Sequence, residues 1–309
     1  MLEVQESLSQ DNWSNTLPRQ SVPIEYAARE YQAYPGSQYA LPTDAVERQR
    51  LLVQHNTLKR LFGNRFLFAP VNLDVNDKVL ETGTGPGLWI SDLAKSVDPS
   101  VPMVAVDIES RLFPASPPKN IEFRVESVTK LPLDWTGAFS LVHQRLLMLA
   151  LQHHEWTATL NEMYRVLRPG GWVQLAEYTP WRAGKYPGQP CMERLVALYR
   201  CVTTSRNLYV DCADHLPTML KQAGFVDIRT ESRMQLIGKL HGEAGVASSL
   251  THRGVFNGMK TPVLEAGGFG YVSSEAEYDE LVEGLEKEWD EVPGAEKEFI
   301  IFWARKPSA

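Results

Sequence analysis

The sequence predicts an α/β protein built on a parallel sheet covered on both faces, and three observations carry that expectation. Short β-branched runs alternate with helical stretches between residues 78 and 178. A loop with three glycines in five positions, Gly83, Gly85 and Gly87, separates the first apolar run from the first helix behind it. An acid, Asp107, ends the second apolar run, twenty positions beyond Gly87. Apolar strands separated by helices are what a sheet needs when both its faces must be buried.

Composition sets the outer bounds. With 309 residues, 43% hydrophobic and 22% charged, the chain can bury a sizeable core in one large domain or two small ones. Its net charge of −7 argues against a nucleic-acid binder that works by neutralising phosphates. No apolar run approaches the ~18 residues that span a bilayer, so no membrane association is expected. The opening "MLEVQESLSQDNWSNTLPRQ" has neither a basic n-region nor an apolar h-region and does not read as a signal peptide. Cys191, Cys201 and Cys212 are odd in number and lack CxxC spacing. They read as reduced thiols of a cytoplasmic or nuclear protein, with no metal site implied.

Taken in order, residues 1–22 are polar and aperiodic, which predicts a flexible tail. Residues 23–70 form a helical N-terminal lid. Within it "EYQAYPGSQYALP" is irregular and tyrosine-rich, and "TDAVERQRLLVQHNTLKRLFGNRF" is a helix with Thr43 as N-cap and Glu47 in the next turn. Leu51, Leu52, His55, Leu58, Leu61 and Phe62 fall on one face of that helix. The main domain occupies 71–309. Its strands are "KVLET", "PMVAVDI", "IEFRV", "AFSLVHQ" and "GWVQLAEY", with helices "GLWISDLAKSV" and "EWTATLNEMYRVLRPGG" between them. Beyond Tyr178 the alternation loosens, and helical insertions are expected at about 180–212 and 240–292. The strand "FVDIRTESRMQL" lies between the insertions, "EYDELVEGLEKEWDEV" reads as a solvated helix, and "EFIIFWARK" closes the chain as a strand.

The glycine loop carries the chemistry. The first strand ends at Glu81 and the next helix starts near Pro86. A ligand at that carboxyl end meets free backbone N–H groups and the positive end of a helix. Asp107 can accept both hydroxyls of a ribose, so the ligand contains a nucleoside. The dinucleotide fingerprint wants glycine where Leu88 stands. Glu81 would repel a pyrophosphate, yet it suits a cofactor with an ammonium group, such as S-adenosylmethionine. A nicotinamide-dependent oxidoreductase is the disfavoured rival, and a P-loop is excluded because no GK[ST] follows.

"VLETGTGPGLW", the acid of "VAVDI" and "LRPGGWVQLAEY" resemble the motifs of class I S-adenosylmethionine-dependent methyltransferases. "YALPTDAVERQRLLVQH", the HxR of His143 and Arg145, and the closing "FIIFWARKP" resemble the LaeA-like fungal methyltransferases of secondary metabolism. The likeness runs from about Tyr39 to Pro307. It implies a Rossmann-like seven-stranded sheet whose last strand is antiparallel, with helical lid elements. It places Glu81, Gly83, Thr84 and Gly85 on the methionine portion of the cofactor, and Asp107 and Ile108 on the ribose. Glu126, Ser127 and Val128 fall near the adenine, where the family often carries a more acidic pair. Tyr39 and Gln54 would reach the cofactor from the lid, and His143 would lie beside the methionine end or the methyl group.

Methyl transfer is an in-line displacement that gains much from positioning, with effective molarities of about 10⁵–10⁸ M. A base is needed only where the nucleophile arrives protonated. His143, His153, His154 and Tyr178 follow the fourth and fifth strands and are the candidates. Each also has a structural reading, as a satisfied core group or, for the His153–His154 pair, a helix cap. Tyr31, Tyr34, Trp181 and Tyr186, with Tyr39, are candidate walls of a substrate pocket or equally anchors for the lid. The expected activity is methyl transfer to a small aromatic or apolar molecule in fungal secondary metabolism, with oxygen preferred over nitrogen, carbon or sulfur. The rivals are a LaeA-type regulator acting through protein partners, found in the nucleus, and a methyltransferase-fold enzyme that uses bound S-adenosylmethionine without transferring its methyl group.

Overall fold

The computed structural model describes residues 29–308. The tail expected over 1–22, and positions 23–28 of the lid segment, lie outside the described residues. Seven strands form one sheet: β1 Val79–Thr82, β2 Met103–Asp107, β3 Ile121–Val125, β4 Phe139–Arg145, β5 Leu167–Tyr178, β6 Val226–Leu236 and β7 Glu296–Arg305. Their order across the sheet is β3-β2-β1-β4-β5-β7-β6. β1 to β5 pair in parallel, whereas β7 runs antiparallel to both β5 and β6. The first strands are apolar on both faces, with Val79, Leu80, Val104, Ala105, Leu141 and Val142 all fully or almost fully buried. Strand order reverses between β1 and β4, and a crevice opens there at the carboxyl ends of the strands.

Among the described residues seven α-helices surround the sheet: α1 Ala45–Leu61, α2 Leu88–Ala94, α3 His153–Val166, α4 Pro190–Ser205, α5 Cys212–Gln222, α6 Gly242–Glu265 and α7 Glu275–Glu291. Several local expectations are corrected. Asp44, not Thr43, caps α1, accepting the Glu47 amide at 2.9 Å. The helix expected through Gly171 ends at Val166, because Leu167 is extended ahead of Arg168–Pro169 and starts β5. Neither His153 nor His154 caps α3; Gln152 does so, in a reciprocal box with Glu155. The charged face of α7 is less free than expected, since Glu288 accepts the Cys191 and Met192 amides at the start of α4.

The largest departure is the buried face of α1. Leu52 is exposed, whereas Glu47, Arg50, Gln54, His55 and Thr57 are buried beside Leu58. The helix lies over the crevice and packs on α6, where a Cβ at Gly254 would stand 2.5 Å from Arg50 Cδ. Gln54 faces the cleft, and the other polar groups are buried because they are paired: Glu47 with Arg50, His55 with Asp92 and the Thr57 hydroxyl with Val53 O. Among the described residues no helix is long and apolar enough to cross a membrane.

Candidate active site

The glycine loop is held from below. The Thr84 amide donates to Val106 O at 3.0 Å and the Gly85 amide to Asp107 Oδ2 at 2.8 Å, which ties the loop to the end of β2. Gly83 and Gly87 both adopt positive φ, +61° and +69°, and a Cβ would meet Leu147 at 2.8 Å and Phe123 at 2.5 Å respectively. Only glycine meets both demands. The result is a cleft of about 320 Å³, inside the range of small-molecule sites.

Most of the residues expected at the cofactor line this cleft. Tyr34, Tyr39, Gln54, Gly83, Thr84, Gly85, Asp107, Ile108, Glu126, Ser127 and Val128 are all part of its lining. Burial pushes the Asp107 carboxyl up to about 6, against the lowering effect of the Gly85 amide. Glu81 stands behind the wall. Its carboxylate accepts the Thr84 hydroxyl at 2.6 Å, and burial pushes it up to about 7 against the nearby Arg145 guanidinium. Arg145 was passed over as a site residue, although it completes the HxR. It lines the cleft and donates to His55 Nδ1 at 3.0 Å.

His143 does not reach the cleft, and its expected place at the methionine end is corrected. It lies two residues short of the end of β4, one step deeper in the sheet, where Trp89 stacks over it at 3.7 Å. Its Nδ1 lies 3.1 Å from Gln174 O, and burial holds the ring neutral. His153 and His154 are exposed, His153 lying edge-on to Tyr209. Neither lines the cleft, which the first turn of α3 reaches through Glu155 instead. Tyr31 turns away as well, donating its hydroxyl to Gly258 O at 2.6 Å, which makes it an anchor between the lid segment and α6.

Tyr178 and Trp181 line a second, inner chamber of about 70 Å³. It shares Tyr39, Leu51, Gln54 and Leu146 with the cleft, so the two spaces have a common wall. Tyr178 is no base there. Its hydroxyl donates to Gln235 Oε1 at 2.6 Å, and burial pushes the phenol upward. Tyr186 packs edge-on against Trp181 and borders a groove on the outer side.

Three polar residues of the chamber were missed by sequence reasoning: Arg50, His252 and Lys297. Arg50 pairs with Glu47 at 2.6 Å, both buried, and its Nη1 has no partner. His252 Nε2 lies 3.0 Å from Gln235 Oε1. Lys297 Nζ lies 3.7 Å from the centre of the Trp181 ring, with no hydrogen-bond partner. One signal was available for Lys297. It shares the strand alternation of Phe299 and Ile301, which puts a cation on an apolar face. Among the described residues no group of three His, Cys, Asp or Glu side chains is placed to hold a metal ion.

The sheet order, the glycine loop tied to Asp107 and the cleft above them define a class I S-adenosylmethionine-dependent methyltransferase. Residues 79–171 match the methyltransferase-domain family. The chain is 28% identical over 286 residues to the N-methyltransferase sirN of Leptosphaeria maculans, covering 89% of this chain and 96% of the relative. Against the N-methyltransferase gliN of Aspergillus fumigatus the identity is 34% over 167 residues, or 52% of this chain and 58% of the relative. The secondary metabolism regulator LAE1 of Hypocrea atroviridis is 25% identical over 208 residues, 65% of this chain and 59% of that one. The protein is thus a methyltransferase related to those of fungal secondary metabolism, and its cofactor is S-adenosylmethionine. The expected preference for oxygen is overturned, since sirN and gliN are both named N-methyltransferases. Aromatic walls define the shape of an acceptor and leave its nucleophilic atom open.

Proposed function

We propose that the chain transfers a methyl group from S-adenosylmethionine to a nitrogen atom of a small organic molecule with an aromatic or apolar body, as a step of secondary metabolism. What supports the reading is the wall that the cleft shares with the aromatic-lined chamber, beside which an acceptor would meet the cofactor, and, for nitrogen, the likeness to sirN and gliN. The cofactor, when bound, supplies a methyl carbon made electrophilic by cationic sulfur. The chain supplies the holding groups. Asp107 accepts from the ribose hydroxyls, and Ser127 with Glu126 and Val128 borders the adenine. Arg145 meets the methionine carboxylate, with Glu81 behind the loop favouring the ammonium group. Tyr39 and Gln54, on the common wall, align the two reactants. The net charge of −7 supports a small molecule over nucleic acid as partner, and free Cys191, Cys201 and Cys212 support a reducing compartment such as the cytoplasm.

The test is deletion of the gene in its native host, followed by metabolite profiling with methyl-labelled methionine. A compound should accumulate that lacks one labelled N-methyl group of the parent product. Label on oxygen, or unchanged profiles, would overturn the reading.

A further inference from the structure

Proton removal has no owner among the residues first expected to provide it. A nitrogen that bears hydrogen forms the new N–C bond while the methyl C–S bond breaks and its electron pair stays on sulfur. The surplus N–H proton must then leave the nitrogen. The inner chamber is lined by six side chains able to exchange protons in principle: Tyr39, Arg50, Tyr178, Tyr199, His252 and Lys297. Burial raises all three phenols, so they stay protonated near neutrality. Arg50 is always charged. His252 has its Nε2 engaged with Gln235 Oε1, and burial makes the ring a weak base.

Lys297 differs in two ways. Its side chain is 5% exposed and its Nζ has no hydrogen-bond partner, which leaves the nitrogen free toward the chamber. It also borders the outer groove formed with Thr179, Tyr186, Gln189 and Glu298. The residue therefore lines both the chamber and a groove open to solvent, with Nζ itself buried against the Trp181 ring. We propose, on the basis of the N-methyltransfer reading above, that Lys297 is the proton acceptor of the reaction. Its neutral amine takes the N–H proton from the acceptor nitrogen as an ammonium and gives it up to water once the product has left.

The surroundings favour the neutral amine. Burial lowers the Lys297 pKa well below the usual lysine value, and Arg200 of α4 and Arg182 of the loop after β5 lower it further. The remaining charged or titratable neighbours do not offset this. α1 contributes Arg50, whose Glu47 is already paired with it. The lid segment, β5, α4 and α6 contribute Tyr39, Tyr178, Tyr199 and His252. Lys185, Tyr186, Glu296 and Glu298 stand around the outer groove, and none of them is bonded to Nζ.

The experiment has two arms. In the first, the full chain carries 13C at lysine Cε and is titrated by NMR, with Lys297→Met assigning the signal. Lys297 should titrate well below the other lysines; titration together with them would overturn the proposal. In the second, Lys297→Met and Lys297→Arg replace the wild type in the native host. The ratio of methylated to unmethylated product should fall at least about tenfold for both, since general bases contribute about 10²–10⁴-fold. Arginine is similar in length but stays protonated and cannot accept a proton, so a normal ratio in Lys297→Arg would overturn the proposal. Calorimetry should give wild-type cofactor affinity for both variants. Failure of the underlying reading looks different: deletion of the whole gene would then leave the methylated product in place.

Discussion

The cofactor cleft and the inner chamber share a wall, but they are built in opposite ways. The cleft takes its largest share from one stretch, the glycine loop at Gly83 and Gly85 and the ends of β2 and β3 at Asp107 and Ser127, and is completed by the lid segment and the turn after β4. The chamber gathers side chains from elements scattered along the chain, Arg50 on α1, Tyr178 on β5, Tyr199 on α4, His252 on α6 and Lys297 on β7. A backbone site tolerates drift in side chains and keeps one ligand. A site made of side chains on separate elements can be reshaped one residue at a time, so the chamber can vary while the loop stays the same.

That contrast can be broken most directly at the loop. Gly87→Ala should destabilise the fold by about 2–4 kcal/mol, the sum of a left-handed backbone and a Cβ pressed on Phe123. Thermal unfolding checks it, and an unchanged midpoint would show that the loop is less constrained than its geometry demands. Asp107→Ala comes next. Losing charged hydrogen bonds worth about 1.5–3 kcal/mol should weaken S-adenosylmethionine binding roughly 10- to 100-fold, with the fold retained. His143→Phe, which keeps a ring under Trp89, should leave that affinity unchanged. A loss as large as that of Asp107→Ala would return His143 to the cleft.

The smallest expected effect is on pH. In the free protein Asp107 and Glu81 have raised pKa values, about 6 and about 7. In the proposed site their ionised forms would hold the cofactor, so binding should release protons and affinity should rise with pH through 6–7. The sign for the free fold is opposite. A raised folded pKa gives stability that is present below the unfolded carboxyl value and lost as pH rises through 6–7. Affinity should therefore weaken by about tenfold between pH 7 and pH 6, as both carboxyls take up protons. Buffer-dependent binding heats measure the released protons, and a flat profile would mean that both carboxyls are already ionised.

Legibility in the sequence follows the same division. The strands β1 to β5, the glycine loop and Asp107 could be read because their constraints are local: alternation, turn chemistry and a strand end at fixed spacing. The placing of His143 went wrong for a reason the sequence does not contain, since Trp89 comes from α2 and covers it only after folding. Thr43 and Asp44 are neighbours with similar capping ability, and the choice between them rests on chain direction. Arg29 pairs with Asp44 at 2.6 Å, a contact across fifteen positions that no helical pattern announces.

By itself the sequence determined the sheet, the loop and the kind of cofactor, because backbone geometry and short-range spacing are written in consecutive residues. Only the tertiary structure decided which face of α1 is buried, which ring covers His143, and that Lys297 is a buried amine. Those outcomes depend on burial and on neighbours contributed by distant elements, and burial is what moves a side chain from solvated charge to chemistry.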